Sequence, residues 1–251
     1  MEKLSGIKHI CFDVDDTFYP LNEDLNQQLY RVAYKCFLQK IKEQTLKDIS
    51  YDDFLKLYHE LGSMSKLYEE NGLNPKLVES CAAHIDKTNF FNKDLKVVET
   101  LKLLRKKYTL SIYSNTTYKN ITNTLKHLGL TAEEEDKIFQ VPQGTTQIIR
   151  LENNNSESII KESIINRNLN VLSAEDDVRF KRPNTEGFKW IISCLKLRPE
   201  EIVFVGDNDK KDIIPAKKMG LKTIQCSWNK REKSQNADAI VDTFYQLSNI
   251  L

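Results

Sequence analysis

The chain has 251 residues, of which 40% are apolar and 29% charged, so it is long enough and apolar enough to bury a substantial core. Its 37 Lys and Arg against 36 Asp and Glu leave a net charge of +1, which excludes the basic footprint of a protein that binds a nucleic acid polymer or a membrane surface. The five cysteines (Cys11, Cys36, Cys81, Cys194, Cys226) are odd in number and nowhere spaced as CxxC, so free thiols in a reducing compartment are expected.

The opening Met1-Glu2-Lys3-Leu4-Ser5 is followed by no long apolar stretch. Neither a signal peptide nor a membrane span is expected, and the chain reads as cytoplasmic. Ile7 to Val14 is an apolar run with the character of a buried strand. The stretch from about Asn22 to Asn89 then turns helical. Leu25, Leu29, Val32, Ala33, Cys36, Phe37 and Ile41 recur at three- and four-residue steps, and Phe54, Leu57, Tyr58 and Leu61 do the same. This predicts a small helical domain, residues 20–91, inserted into a core made of residues 1–19 and 92–251.

Strand and helix alternate from there on. Helices are expected at Leu95 to Lys107, Lys119 to Leu128, Thr185 to Leu195 and Asp212 to Met219, with Gly129 and Gly220 at C-cap positions. Strands are expected at Tyr108 to Tyr113, Leu169 to Leu172, Glu201 to Val205, Leu221 to Gln225 and Ala239 to Val241. Between Thr131 and Asn168 lie an acidic run, Glu133 to Asp136, an Asn-rich loop, Asn153 to Asn155, and one expected helix, Ser156 to Ile165. The alternation implies an α/β fold, an open Rossmann-like parallel sheet with helices on both faces.

In such a sheet ligands gather at the carboxyl ends of the strands. The first strand ends in Asp13-Val14-Asp15-Asp16-Thr17. Extended backbone points Asp13 and Asp15 to one side, where the two carboxylates repel unless a cation or a shared proton compensates. Mg²⁺, a hard cation that prefers oxygen ligands, suits them, although a solvated acidic turn would carry the same letters. The next strand ends in Ser114-Asn115-Thr116-Thr117, where a hydroxyl would donate to a phosphate oxygen or cap a helix. Phe180-Lys181-Arg182-Pro183 offers cations that would neutralise phosphate. Val203 to Val205 leads into Gly206-Asp207, which faces the same edge as Asp13, and Asp212 opens the helix beyond it.

Taken together and in this order, these segments resemble the haloacid dehalogenase-like (HAD) superfamily. Asp13, Asp15 and Thr17 match its DxDxT motif, Ser114 its second motif, and Gly206, Asp207 and Asp212 its GDxxxxD motif. The helical insertion stands where the family's C1 cap belongs. The third motif departs, because Arg182 precedes Pro183 where the family has Lys. Either Lys181 serves through a one-residue shift, the favoured assignment, or Arg182 replaces it.

The resemblance implies Asp13 as nucleophile, Asp15 as general acid and base, and Ser114 with the third-motif cation on the phosphoryl group. It implies Mg²⁺ on Asp13, the Asp15 carbonyl and Asp207, with Asp212 supporting. Within the cap, Leu57 to Leu67 resembles the pyrimidine 5′-nucleotidase branch, which implies Ser63 and Met64, with Ser114 and Asn115, near the substrate. The expected function is hydrolysis of a small phosphorylated metabolite, first a nucleoside 5′-monophosphate, by a monomer or homodimer. A sugar-phosphate or phosphoglycolate phosphatase, a phosphomutase, and a catalytically silent HAD-fold binding protein are the alternatives.

Overall fold

The computed structural model describes residues 3–20, 22–45, 48–61, 63–75, 77–82, 85–139, 171–173, 180–228 and 232–251. The chain divides into two compact units, Met1–Leu21 with Asn92–Leu251, and Asn22–Phe91.

The larger unit is built on a parallel six-stranded sheet: β1 (His9–Phe12), β2 (Thr109–Ser114), β3 (Val171–Ser173), β4 (Ile202–Gly206), β5 (Lys222–Cys226) and β6 (Ala239–Val241), in the order β3-β2-β1-β4-β5-β6. Its described helices are α5 (Leu95–Arg105), α6 (Tyr118–Leu128), α7 (Ala132–Ile138), α8 (Glu186–Leu195), α9 (Ile214–Lys218) and α10 (Leu247–Ile250). β1 and β4 are buried at every position, which is why they read as unbroken apolar runs rather than alternating ones. Against one face pack Cys11, Tyr113, Phe188, Ile191, Ile202, Phe204 and Leu221. Elsewhere in the core Phe12, Phe18 and Phe244 form an aromatic trio with centroids 5.1–5.6 Å apart. Chain direction out of β1 reverses between β2 and β4, so the crevice of this sheet opens at the carboxyl ends of β1 and β4.

The smaller unit holds α1 (Glu23–Thr45), α2 (Tyr51–Leu61), α3 (Met64–Glu70) and α4 (Leu77–Ala82). The helical spacing in the sequence becomes a packed stripe of Ala33, Phe37 and Ile41 on Phe54, Leu67 and Tyr68. Tyr68 donates its hydroxyl to the Ala33 carbonyl at 2.6 Å, which satisfies the one polar atom this stripe buries.

Two expectations need correction, and one helix lies where none was expected. Cys36 and Cys81 form a disulfide between α1 and α4, leaving Cys11, Cys194 and Cys226 free. The spacing had placed Cys36 on the packed face of α1, but nothing in it said that α4 would bring a second thiol there. The acidic run Glu133 to Asp136 is α7, started by a capping box in which Thr131 accepts from Glu134 N while Glu134 accepts from Thr131 N. Asp212 is not the first residue of its helical segment but the fourth. It sits in a wide π-type turn, Asp209–Ile213, and α9 begins after it with Pro215 in its first turn, where the missing N–H costs nothing. The expected helix Ser156 to Ile165, like Leu169 and Asn170 of the third strand, lies outside the described residues.

Candidate active site

Asp13 follows directly on β1, and its N–H donates to the Val205 carbonyl of β4 at 2.9 Å. Its carboxylate is buried. Val14 N and Arg182 Nη2 both donate to Oδ1, at 2.8 and 2.7 Å. Among the described residues Oδ2 is therefore the oxygen left open to attack an electrophile. Burial pushes the Asp13 carboxyl up to about 6, and Arg182 opposes that shift.

After Val14 the chain turns sharply. Asp16 takes φ 59°, a left-handed conformation that Asp tolerates, and Thr17 N and Phe18 N both close on the Val14 carbonyl. This tight turn holds Asp15 half-buried, with the Tyr19 hydroxyl donating to its Oδ1 at 2.5 Å. Burial and then the Asp15 charge push the Tyr19 phenol well above its ordinary value, so it stays a donor at any physiological pH. Trp228 Nε1 donates to the Thr17 carbonyl at 3.0 Å and fixes the far side of the turn.

Arg182 is the cation that meets these carboxylates. Its Nη1 donates to Asp212 Oδ1 and its Nη2 to Asp13 Oδ1, so one guanidinium spans both. Beneath it lie the rings of Tyr113 and Phe204, 5.2 and 5.5 Å from Cζ. Burial works against its charge, but Asp13 and Asp212 outweigh that and hold it above its ordinary value. Lys181 beside it is also buried. The backbone of Arg182 is clamped by Asn115, whose Oδ1 accepts from Arg182 N at 2.9 Å and whose Nδ2 donates to its carbonyl at 3.0 Å. Expected at the substrate, Asn115 thus spends its side chain on positioning the cation loop.

Gly206 ends β4 against Asp212. A Cβ there would lie 2.6 Å from Asp212 Oδ2 and 2.7 Å from Asp212 Cβ, so only glycine lets this carboxylate close over the strand end. Asp212 Oδ2 accepts from Asn208 N at 2.9 Å. The result is a buried trio, Asp13, Asp207 and Asp212, each offering a carboxylate oxygen within 4.8 Å of the others. Three hard oxygen donors at that spacing, with the Arg182 guanidinium between two of them, fit a divalent cation such as Mg²⁺.

Ser114 ends β2, one residue beyond the level of Asp13, and is buried; its Oγ accepts from Thr116 N at 3.4 Å. Ser63 and Met64 belong to the smaller unit. Ser63 is the N-cap of α3 and accepts from Lys66 N at 3.4 Å, and Met64 is that helix's first residue.

The sequence reading missed Tyr19, Gln225 and the Tyr113–Phe204 floor. Tyr19 carried a signal, four residues after Asp15 in a turn too short to take it elsewhere. Gln225 did too, as an amide near the carboxyl end of an interior strand.

A family model described as hydrolase, haloacid dehalogenase-like hydrolase, matches residues 7–220. Glyceraldehyde 3-phosphate phosphatase of Methanopyrus kandleri is 26% identical over a 255-residue alignment, covering 94% of this chain and 91% of that protein. Pyrophosphatase PpaX of Anoxybacillus flavithermus is 40% identical over 53 residues, 21% of this chain and only 24% of PpaX. Among solved structures, a HAD phosphatase from Thermococcus onnurineus superposes with a TM-score of 0.53 at 19% identity, over 97% of both chains, a likeness of fold.

Proposed function

The chain belongs to the haloacid dehalogenase-like hydrolase family, and we propose that it is a Mg²⁺-dependent phosphomonoesterase with Asp13 as nucleophile. One observation carries this: Asp13 stands buried at the sheet's crevice, bonded to Arg182 through Oδ1 alone, inside the trio with Asp207 and Asp212. Asp13 Oδ2 attacks phosphorus, the bond to the leaving oxygen breaks, and Asp15 gives that oxygen a proton. Water then attacks the aspartyl-phosphate and passes its proton to Asp15, and the phosphorus bond to Asp13 breaks to release phosphate.

Arg182 stabilises charge on the phosphoryl oxygens and holds Asp13 ionised, with Lys181 beside it, and Ser114 donates to the phosphoryl group. Asp13, Asp207 and the Asp15 carbonyl would hold Mg²⁺, supported by Asp212. The ion would supply the positive charge that a dianionic phosphate needs beside three carboxylates.

The substrate is a small phosphorylated metabolite. A nucleoside 5′-monophosphate is one candidate, resting on the cap's resemblance to pyrimidine 5′-nucleotidases, with Ser63 and Met64 toward the substrate. A phosphorylated sugar or triose is the second, favoured by the name of the relative that matches along nearly its whole length. The enzyme is placed in the cytoplasm, as a monomer or homodimer. No helix among the described residues is long and apolar enough to cross a membrane, which is compatible with that placement.

Phosphate release from an aryl phosphate tests the chemistry. Activity should need Mg²⁺, vanish with EDTA and vanish in Asp13→Asn. Full activity in Asp13→Asn sinks the assignment. A panel of nucleotides, sugar phosphates and phosphoglycolate separates the substrate classes.

A further inference from the structure

Gln225 is the one interior-strand amide facing the acidic trio's side of the sheet that the reaction itself leaves unused among the described residues. It is the last residue but one of β5, paired in register with Gly206 of β4, and is only 1% exposed. Its Nε2 donates to the Asp207 carbonyl at 3.0 Å and to the Glu232 carbonyl at 2.9 Å, and its Oε1 accepts from Ser234 N at 2.8 Å. The loop it grips is tied back to the turn after Asp207. Ser234 Oγ donates to Asp209 Oδ1 while accepting from Asn236 N and Ala237 N at 3.0 and 3.1 Å. Asn236 Nδ2 donates to Asp209 Oδ2 at 2.9 Å. Residues 207, 209 and 232–236 therefore form one strap across the ends of β4 and β5.

We infer that Gln225 is a positioning residue for the metal-facing carboxylates: through its bond to the Asp207 carbonyl it fixes the backbone from which Asp207 reaches Asp13 and Asp212. The inference rests on the trio being a metal site. The physical reason lies in the turn. Gly206 gives this strand end no side chain to brace it, and Asp212 must lie against Gly206 for the three carboxylates to converge. Rotation of the Asp207 peptide would swing its carboxylate out of the trio, and the Gln225 amide donates to the carbonyl of that peptide. Partners of this kind hold metal ligands at the separation the ion demands.

The test is a Mn²⁺ titration of the full chain by electron paramagnetic resonance, with Mn²⁺ as an oxygen-preferring probe. Gln225→Met should bind Mn²⁺ about 10–100-fold more weakly than wild type. Its kcat at saturating metal should stay within about threefold, because no group touching phosphate has changed. Ser234→Ala loosens the loop but leaves the Gln225 to Asp207 bond, and should hold Mn²⁺ within about twofold of wild type. Wild-type affinity in Gln225→Met overturns the inference, as does an equal loss of affinity in Ser234→Ala at equal melting temperature. Should Gln225→Met not fold, Gln225→Glu keeps the shape and the acceptor while removing both donors, and the same outcomes decide. A wild-type protein that binds no Mn²⁺, or an Asp207→Asn variant that binds it undiminished, instead fails the metal reading itself and the inference with it.

Discussion

Replacing His9 with glutamine should strip the fold of a specific acid sensitivity. His9 opens β1 in the sheet interior, its ring nitrogens 2.6 Å from Thr109 Oγ1 and 2.7 Å from Ser111 Oγ. Burial, then the Arg105 charge, lowers its pKa from 6.5 to about 3. The folded state thus keeps His9 neutral while the unfolded chain takes up a proton below 6.5. Stability from this residue is complete at neutral pH, falls as the pH drops through 6.5, and falls no further below about 3. The slope is about 1.4 kcal/mol per pH unit, which makes the loss roughly 2 kcal/mol at about pH 5. Urea unfolding of wild type and His9→Gln across that range measures it. Depressed carboxylates such as Glu134 and Glu201 titrate in both proteins and cancel in the difference. Glutamine shifts stability by a constant, so the quantity to read is the change in the gap between the two proteins with pH. Parallel curves from neutrality to pH 5 would refute the idea that burial keeps His9 uncharged.

Arg182→Ala should lose activity by about 10²–10³-fold, as removal of a charge-stabilising donor does. It should also destabilise the protein by about 3–5 kcal/mol, since it leaves two buried carboxylates uncompensated. Lys181→Ala compared in the same assay tells which cation faces phosphate, and an unimpaired Arg182→Ala excludes Arg182. Gly206→Ala must push Asp212 away, at a cost of about 1–3 kcal/mol, and should weaken Mn²⁺ binding together with its melting temperature. Thiol titration of the denatured chain without reductant should find the three free cysteines, Cys11, Cys194 and Cys226; five would show that Cys36 and Cys81 are not bonded.

Strands were legible because sheet burial on both faces writes continuous apolar runs, and their order placed Asp13, Ser114, Asp207 and Asp212 at one edge. The limits of that reading are local. α7 was missed because Glu133 to Asp136 is polar on every side and gives no period; its only signal is the Thr131 to Glu134 capping box. Spacing along the chain puts the helix start at Asp212, three residues late, because it does not reveal the wide turn from Asp209 that precedes the α-helical part at Ile214. Asn115 is expected at the substrate because it sits at a strand end, and its side chain is used to hold the cation loop. Its actual partner, the Arg182 backbone, lies 67 residues away, and no local pattern encodes that pairing.

The same distance explains why sequence favours Lys181, whereas in the structure it is Arg182 that meets Asp13 and Asp212. Which one reaches Asp13 depends on what lies under each, and what lies under Arg182 comes from two strands distant in sequence. Tyr113 of β2 and Phe204 of β4, their rings inclined at 67° to each other, each lie within 5.5 Å of its Cζ, and aromatic rings suit a planar guanidinium better than a compact ammonium. Tyr113 is itself held by donating its hydroxyl to the Phe180 carbonyl, and Gly187 leaves room for that ring, since a Cβ at 187 would collide with it. A guanidinium so placed has two nitrogens to divide between Asp13 and Asp212, whereas a lysine there would have one charge centre for both. Arg182→Lys should therefore keep the charge near Asp13 yet free Asp212, and lose part of the stability that Arg182→Ala loses in full. The departure from the family's lysine is matched by the residues around it, which makes it a built feature of this site.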